Sequence, residues 1–121
     1  MCGIIASLLQ KTEYEKNSLI DSLLFGLEQL QNRGYDSAGI TSISSKSNFT
    51  THKFASSIEH SALVSLKEKR SQHENHFCGI AHTRWATHGS KTDYNSHPHI
   101  SFDGEFALVH NGILENFQQI K

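Results

Sequence analysis

One apolar stripe at helical spacing constrains the chain more than any other feature. Leu19, Ile20, Leu23, Leu24, Leu27 and Leu30 recur every three or four positions, which sets them on one face of a helix. Ser18, followed three residues later by Asp21, suits a loose capping box, and Gly34 suits the left-handed turn that ends a helix. The spacing therefore predicts a helix over residues 18–32. What surrounds it has a different period. Residues 2–9 form an apolar run of strand length, and a run apolar on both faces suits a strand buried between layers. Residues 38–43 resume a strand-like run, residues 44–48 read as a polar turn, and residues 49–54 return as the second arm of a hairpin. Ser61 heads a second short helix with Leu63, Val64 and Leu66 inward, and residues 71–76 read as a polar loop. Residues 77–82 and 106–110 predict two more strands, separated by about 23 residues without periodicity. A stretch of that length without pattern inside a compact domain is usually functional. Residues 113–121 begin a further helix.

Helices mixed with strands predict an α+β domain, and 121 residues suffice for only one. Such a chain buries roughly two-thirds of its unfolded surface. The formal net charge of −1 argues against a polyanion-binding surface, so no nucleic-acid partner is expected. No run approaches the roughly 18 apolar residues that span a bilayer, and no basic segment precedes residues 4–9 to make a signal peptide. A cytoplasmic domain with no membrane partner is the expectation. Cys2 and Cys78 are too few for a disulfide framework. Seven of the nine histidines lie between His73 and His110, which draws the search for chemistry to that half.

Four features there and at the N-terminus can carry chemistry. Removal of Met1 would expose Cys2 with a thiol and a free α-amine. With a pKa near 8, roughly a tenth to a sixth of such amines are unprotonated at neutral pH. The amine can then serve as base for its own thiol. The plainer reading is a small apolar residue at a strand start. Asn111-Gly112 after an apolar strand is a common turn dipeptide, yet an amide side chain and an adjacent N–H can also converge on an oxyanion. Residues 81–89 place Arg84, Trp85, Thr87 and His88 in a loop after a strand. Arg84 there can be a surface charge or a two-pronged carboxylate contact. His97-Pro98-His99, with His82, His88 or His110, could bind zinc, but neither a CxxC nor an HExxH pattern accompanies it. Histidines that rigidify a loop by hydrogen bonding are the preferred reading, with no metal and no cofactor.

Taken in order, M-C-G-I-I, R-G-Y-D-S-A-G (33–39), G-I-A-H-T-R-W-A-T-H-G (79–89), N-S-H-P-H (95–99) and V-H-N-G-I-L-E-N (109–116) form a set. Together they resemble the class II glutamine amidotransferase domain, the N-terminal-nucleophile type. The second and third blocks look most like its branch of glutamine–fructose-6-phosphate aminotransferases (isomerizing). The resemblance implies a four-layer α/β/β/α sandwich that hydrolyses L-glutamine to glutamate and ammonia. Cys2 would be the nucleophile and form a γ-glutamyl thioester, its α-amine relaying the proton. The Asn111 side chain and the Gly112 N–H would form the oxyanion hole. Arg84 would clamp the α-carboxylate of glutamine, Thr87 and His88 would shape the same loop, and Trp85 would close it and gate ammonia. His97 would support the site, Arg33 would order backbone near the nucleophile, and residues 35–39 would form a structural turn. His99 and His110 would be packing residues.

The family's domain continues past the point where this sequence stops, including an acidic residue that holds the substrate's α-amino group. The expectation is thus a sandwich incomplete on its C-terminal side, with unpaired edges, an uncovered face and poor independent stability. Fructose 6-phosphate would be met only by sugar isomerase domains that this sequence lacks. A completing chain or an oligomer, a non-catalytic remnant, and an amidotransferase with another acceptor are the alternatives.

Overall fold

The computed structural model describes residues 2–10, 18–33, 35–87 and 89–120 of the chain. The strands β1 (Gly3–Leu8), β2 (Ser37–Ser44), β3 (Phe49–Ala55) and β4 (His76–Arg84) form one antiparallel sheet in the order β1-β4-β2-β3. Helices α1 (Leu19–Gln29) and α2 (Ala62–Glu68) pack on one side of it. A short ribbon pairs β5 (His99–Ile100) with β6 (Ala107–Leu108), and α3 (Phe117–Ile120) follows. The fold is α+β, as the sequence predicts. Among the described residues no helix is long and apolar enough to cross a membrane.

The predicted stripe is the core. Leu19, Ile20, Leu23, Leu24 and Leu27 of α1 are all buried, each contributing on the order of 2 kcal/mol of apolar burial. They pack toward Ile40 of β2 and Ala81 of β4, both 0 % exposed, with Ala62, Leu63 and Leu66 of α2 completing the cluster. Ser18 caps α1, its Oγ accepting from the Asp21 N–H at 3.3 Å. The Asp21 carboxylate takes a two-pronged contact from Arg70, Nε to Oδ1 at 2.7 Å and Nη2 to Oδ2 at 2.8 Å. That pair holds Asp21 below the usual carboxylate range, chiefly through the hydrogen bond to Arg70.

Several local expectations shift. The Leu30 N–H closes α1 onto the Gly26 carbonyl at 3.1 Å, a 3-10 turn (Gln31–Arg33) follows, and Gly34, the predicted terminator, lies outside the described residues. Val64 is 53 % exposed rather than inward, because Ala62, Leu63 and Leu66 already fill the face of α2 that meets the sheet. The polar loop predicted for residues 71–76 includes most of a 3-10 turn (Arg70–His73), and β4 begins at His76. The strand over 106–110 contracts to two residues, paired among the described residues with the equally short β5. Cys2 and Cys78 are free thiols.

Polarity misleads at residues 71–76 because the buried group there is a histidine. His73 is 1 % exposed. Its Nδ1 and the Nδ1 of His76 each lie 2.6 Å from Ser42 Oγ, and its Nε2 lies 2.9 Å from His52 Nδ1. Every contact in this relay can be satisfied with all three rings neutral, because each neutral imidazole offers one N–H and one lone pair. Burial, reinforced by His52 and His76, pushes the His73 pKa down to about 4. The unfolded chain, with a histidine pKa near 6.5, binds protons there that the folded chain refuses. Stability is therefore complete above about pH 6.5 and declines as pH falls toward 4, by on the order of 3 kcal/mol from His73 alone. His52, His76, His82, His97 and His99 are shifted in the same direction. The thermal midpoint should be flat above pH 7 and fall steeply between 6.5 and 4. Equal midpoints at pH 7.5 and 4.5 would refute this assignment.

Because paired residues share a face, the register fixes what looks away from the helices. Ile4, Ala6 and Leu8 of β1 lie opposite His82, Ile80 and Cys78 of β4. Gly39 of β2 lies opposite both His82 and Lys53 of β3. On the edge strand β1 this face leaves Ile4 and Leu8 exposed. The segment around residues 94–98 lies over Gly39 and Lys53, and the site lies between that segment and the start of β1, at His82.

Candidate active site

Cys2 stands directly before β1. The pairing of Gly3 with Thr83, reinforced by the Gly3 N–H donating to Thr83 Oγ1 at 3.1 Å, brings it to the C-terminal end of β4. There the Trp85 N–H donates to Cys2 Sγ at 3.3 Å. The Asn111 Nδ2 donates to the Cys2 carbonyl at 3.1 Å, and Asn111 Oδ1 lies 2.8 Å from His82 Nε2. Gly112 follows with φ of +154°, and a Cβ there would lie 2.9 Å from the His110 ring. Backbone conformation and close approach both call for glycine at 112. These groups open on a cavity of about 720 Å³ whose wall includes Cys2, Arg84, Trp85, Thr87, His97 and Gly112. That is an ordinary size for a small-molecule site.

Arg84 ends β4 with only 9 % of its surface exposed. Its Nη1 donates to the Ser90 carbonyl at 3.0 Å, which draws the loop after β4 back over its own start. Asp36 holds that loop from the other side. Its Oδ2 accepts from the Ala86 N–H at 2.8 Å, its Oδ1 pairs with Lys91 Nζ at 2.5 Å, and its own N–H donates to the Arg84 carbonyl at 3.0 Å. Burial pulls the Asp36 pKa upward, but Lys91, the Ala86 amide and the Arg84 charge together hold it below the usual range. Trp85 meets Tyr35 edge to face, with centroids 5.4 Å apart.

The floor of the site is imidazole. His97 stacks on His82 at 4.3 Å and meets His99 edge-on at the same distance. Burial, then the neighbouring His82 and His99, push the His97 pKa down to about 3, so the ring is neutral at pH 7. Lys53 secures the backbone beneath, its ammonium donating to the carbonyls of Ser96 at 2.8 Å, Pro98 at 3.1 Å and Tyr94 at 3.3 Å. Burial lowers the Lys53 pKa, while Asp93 opposes the change. Among the described residues no three His, Cys, Asp or Glu side chains are disposed to hold a metal ion.

No family model matches the chain. Its whole length does align with named proteins. It is 48 % identical over 124 residues to a protein of Acanthamoeba polyphaga mimivirus named as a probable glutamine–fructose-6-phosphate aminotransferase [isomerizing]. It is 43 % identical over 126 residues to the Cyanidium caldarium protein of that name and 42 % over 121 residues to that of Lactococcus lactis. The chain is a homologue of the glutamine–fructose-6-phosphate aminotransferases. The match bears out the resemblance to the class II glutamine amidotransferase domain. All of this chain is covered in each case, but it spans only 19 %, 18 % and 18 % of these relatives' own lengths.

Of the residues singled out from sequence, Cys2, Arg84, Trp85, Thr87, His97 and Gly112 share one cavity wall, and Asn111 bonds to the Cys2 backbone. His99 and His110, expected as packing residues, line the same cavity. His88 and the side chain of Arg33 lie outside the described residues. Sequence reading missed the parts that hold the loop: Asp36, Lys91 and Lys53. Asp36, inside a distinctive motif, was the one visible signal. The two lysines act on backbone carbonyls and a carboxylate that only the tertiary structure brings near.

Proposed function

We propose that the chain is the glutamine-hydrolysing part of a glutamine–fructose-6-phosphate aminotransferase. What supports this reading most directly is one cavity shared by Cys2, Gly112 and Arg84, with Asn111 bonded beside them. Glutamine enters with its α-carboxylate toward the Arg84 guanidinium, which can meet it with two parallel N–H donors. Cys2 Sγ then attacks the side-chain amide carbon. The developing oxyanion takes the Gly112 N–H and the amide hydrogen of Asn111 that the Cys2 carbonyl does not engage. Each such donor contributes on the order of 3 kcal/mol to the transition state. With Met1 removed, the Cys2 α-amine carries the thiol proton to the departing ammonia, leaving a γ-glutamyl thioester that water hydrolyses to glutamate. Burial lowers the pKa of both His82 and His97 and leaves them poorly basic, which favours the α-amine over either ring as the base.

Thr87 and His88 shape the loop around the substrate, Trp85 closes it and gates ammonia, His97 supports the floor, and Arg33 orders backbone near the nucleophile. In the whole enzyme the ammonia passes to fructose 6-phosphate and yields glucosamine 6-phosphate, in the cytoplasm. Regions of the relatives beyond this span carry that step. The domain is read as part of a four-layer sandwich, with the exposed Ile4 and Leu8 marking where a second sheet, from a completing segment or chain, would lie. The test is intact mass before and after treatment with a diazo-ketone analogue of glutamine. Loss of Met1 and a single adduct on Cys2, blocked by excess glutamine, is the expected result. A retained Met1, or a processed chain that never labels, would overturn the reading.

A further inference from the structure

We infer that His82 is a positioning residue that fixes which way the Asn111 amide faces, and so aims its N–H toward the reacting carbonyl. The inference rests on the glutaminase reading for its consequence, but the geometry stands by itself. Asn111 touches two fixed partners, the Cys2 carbonyl at 3.1 Å through Nδ2 and His82 Nε2 at 2.8 Å through Oδ1. The amide has two orientations and a neutral imidazole two tautomers, which makes four combinations. Turning the amide over sets its oxygen against the Cys2 carbonyl oxygen in either tautomer. Keeping the amide but moving the imidazole hydrogen to Nδ1 sets two lone pairs against each other at 2.8 Å. Only Nε2–H donating to Oδ1, with Nδ2 donating to Cys2, satisfies both contacts.

His82 is built to hold that choice. Its side chain is 1 % exposed, it sits in the middle of paired strands, and the His97 ring stacks on it. Among the described residues its buried Nδ1 has no hydrogen-bond partner. A bare Nδ1 avoids stranding a buried N–H donor, consistent with the Nε2–H tautomer. Burial lowers its pKa and the Arg84 charge adds to the effect, while the Asn111 contact opposes it. Asn111 itself is exposed and follows a two-residue strand. Without His82, its amide could turn and present an oxygen to the oxyanion.

The test compares His82→Leu, which keeps bulk and loses the donor, with His82→Gln, whose amide can donate in its place. Glutaminase kinetics are run on both and on the parent. His82→Leu should lower kcat by about 10- to 100-fold, a part of what deleting a whole oxyanion donor costs. Its KM for glutamine should change less than about threefold, with Cys2 still labelled by the diazo-ketone. His82→Gln should recover most of kcat. An unchanged kcat in His82→Leu, or equal damage to both variants with KM rising in step, would overturn the inference while leaving the glutaminase reading intact. Nitrogen-15 NMR of the unsubstituted chain gives an arm independent of activity and of how the variants fold. The inference requires a protonated Nε2 and a bare Nδ1 on His82, and the opposite tautomer refutes it. Should the unsubstituted chain neither turn over glutamine nor label at Cys2, the glutaminase reading fails. The NMR result then still decides whether His82 orients Asn111.

Discussion

Cys2→Ala is expected to reduce glutamine hydrolysis by about 10⁴-fold or more, since loss of a covalent nucleophile removes the whole pathway rather than one contact. The fold should hardly register the change. Cys2 precedes β1 and is not part of the buried cluster, and among the described residues its thiol engages the Trp85 backbone. Alanine keeps the Cβ and the backbone N–H and C=O, so the Asn111 contact to the Cys2 carbonyl survives. Cys78→Ala is the matched control. Cys78 pairs with Leu8 and Ile43 at the far end of β4. It stands six residues before Arg84, roughly 20 Å along an antiparallel strand from the end that meets Cys2. Its loss should leave hydrolysis within about twofold, because its chemistry is the same and its position is wrong. Ammonia release measured for both variants at saturating glutamine checks the pair. Retained activity in Cys2→Ala, or loss in Cys78→Ala with the fold intact, would remove the proposed mechanism.

What could be read from the sequence divides along physical lines. Helix α1 was legible because its stripe reflects interactions within about seven residues, and the α1 face that the stripe predicts is the buried one. The pairing of β1 with β4 was not, since Gly3 and Thr83 are joined by a loop closure of some 80 residues that no local pattern records. His73 was hidden by its polarity. A buried imidazole reads as a loop residue until Ser42 and His52 appear beside it. The catalytic candidates were legible through ordered motifs rather than through spacing alone, because Cys2 and Asn111 are 109 positions apart. Lys53 and Lys91 left no signal, for a lysine that binds carbonyls looks in sequence like any solvated charge.

Gly39→Ala should be the most damaging single methyl in the sheet, against what strand propensity predicts. By propensity alone, replacing a strand-interior glycine with alanine gains roughly 0.5–1 kcal/mol. Here the new Cβ would lie 2.0 Å from the His97 carbonyl oxygen and 2.7 Å from Lys53 Cβ. The oxygen belongs to backbone, not to the end of a flexible side chain, so the whole segment must lift by more than an ångström to restore contact distance. Lifting it strains the bonds from Lys53 to the carbonyls of Ser96 and Pro98 and slides His97 off His82. The helix side of the sheet is spared, since Ala38 and Ile40 point the other way into the α1 core. Overpacking of this kind costs typically 1–3 kcal/mol. After the propensity gain is subtracted, the thermal midpoint should still fall by about 5–10 °C. The site should suffer more than the fold, because His97 of the displaced segment stacks on His82, and Asn95 of the same segment bonds Ser90, whose carbonyl holds Arg84. Cys2 labelling by the glutamine analogue should slow at least about tenfold, while reaction with a small thiol reagent that needs no binding pocket stays unchanged. A Gly39→Ala chain that melts and labels like its parent would show that the segment over residues 94–98 does not hold the site together.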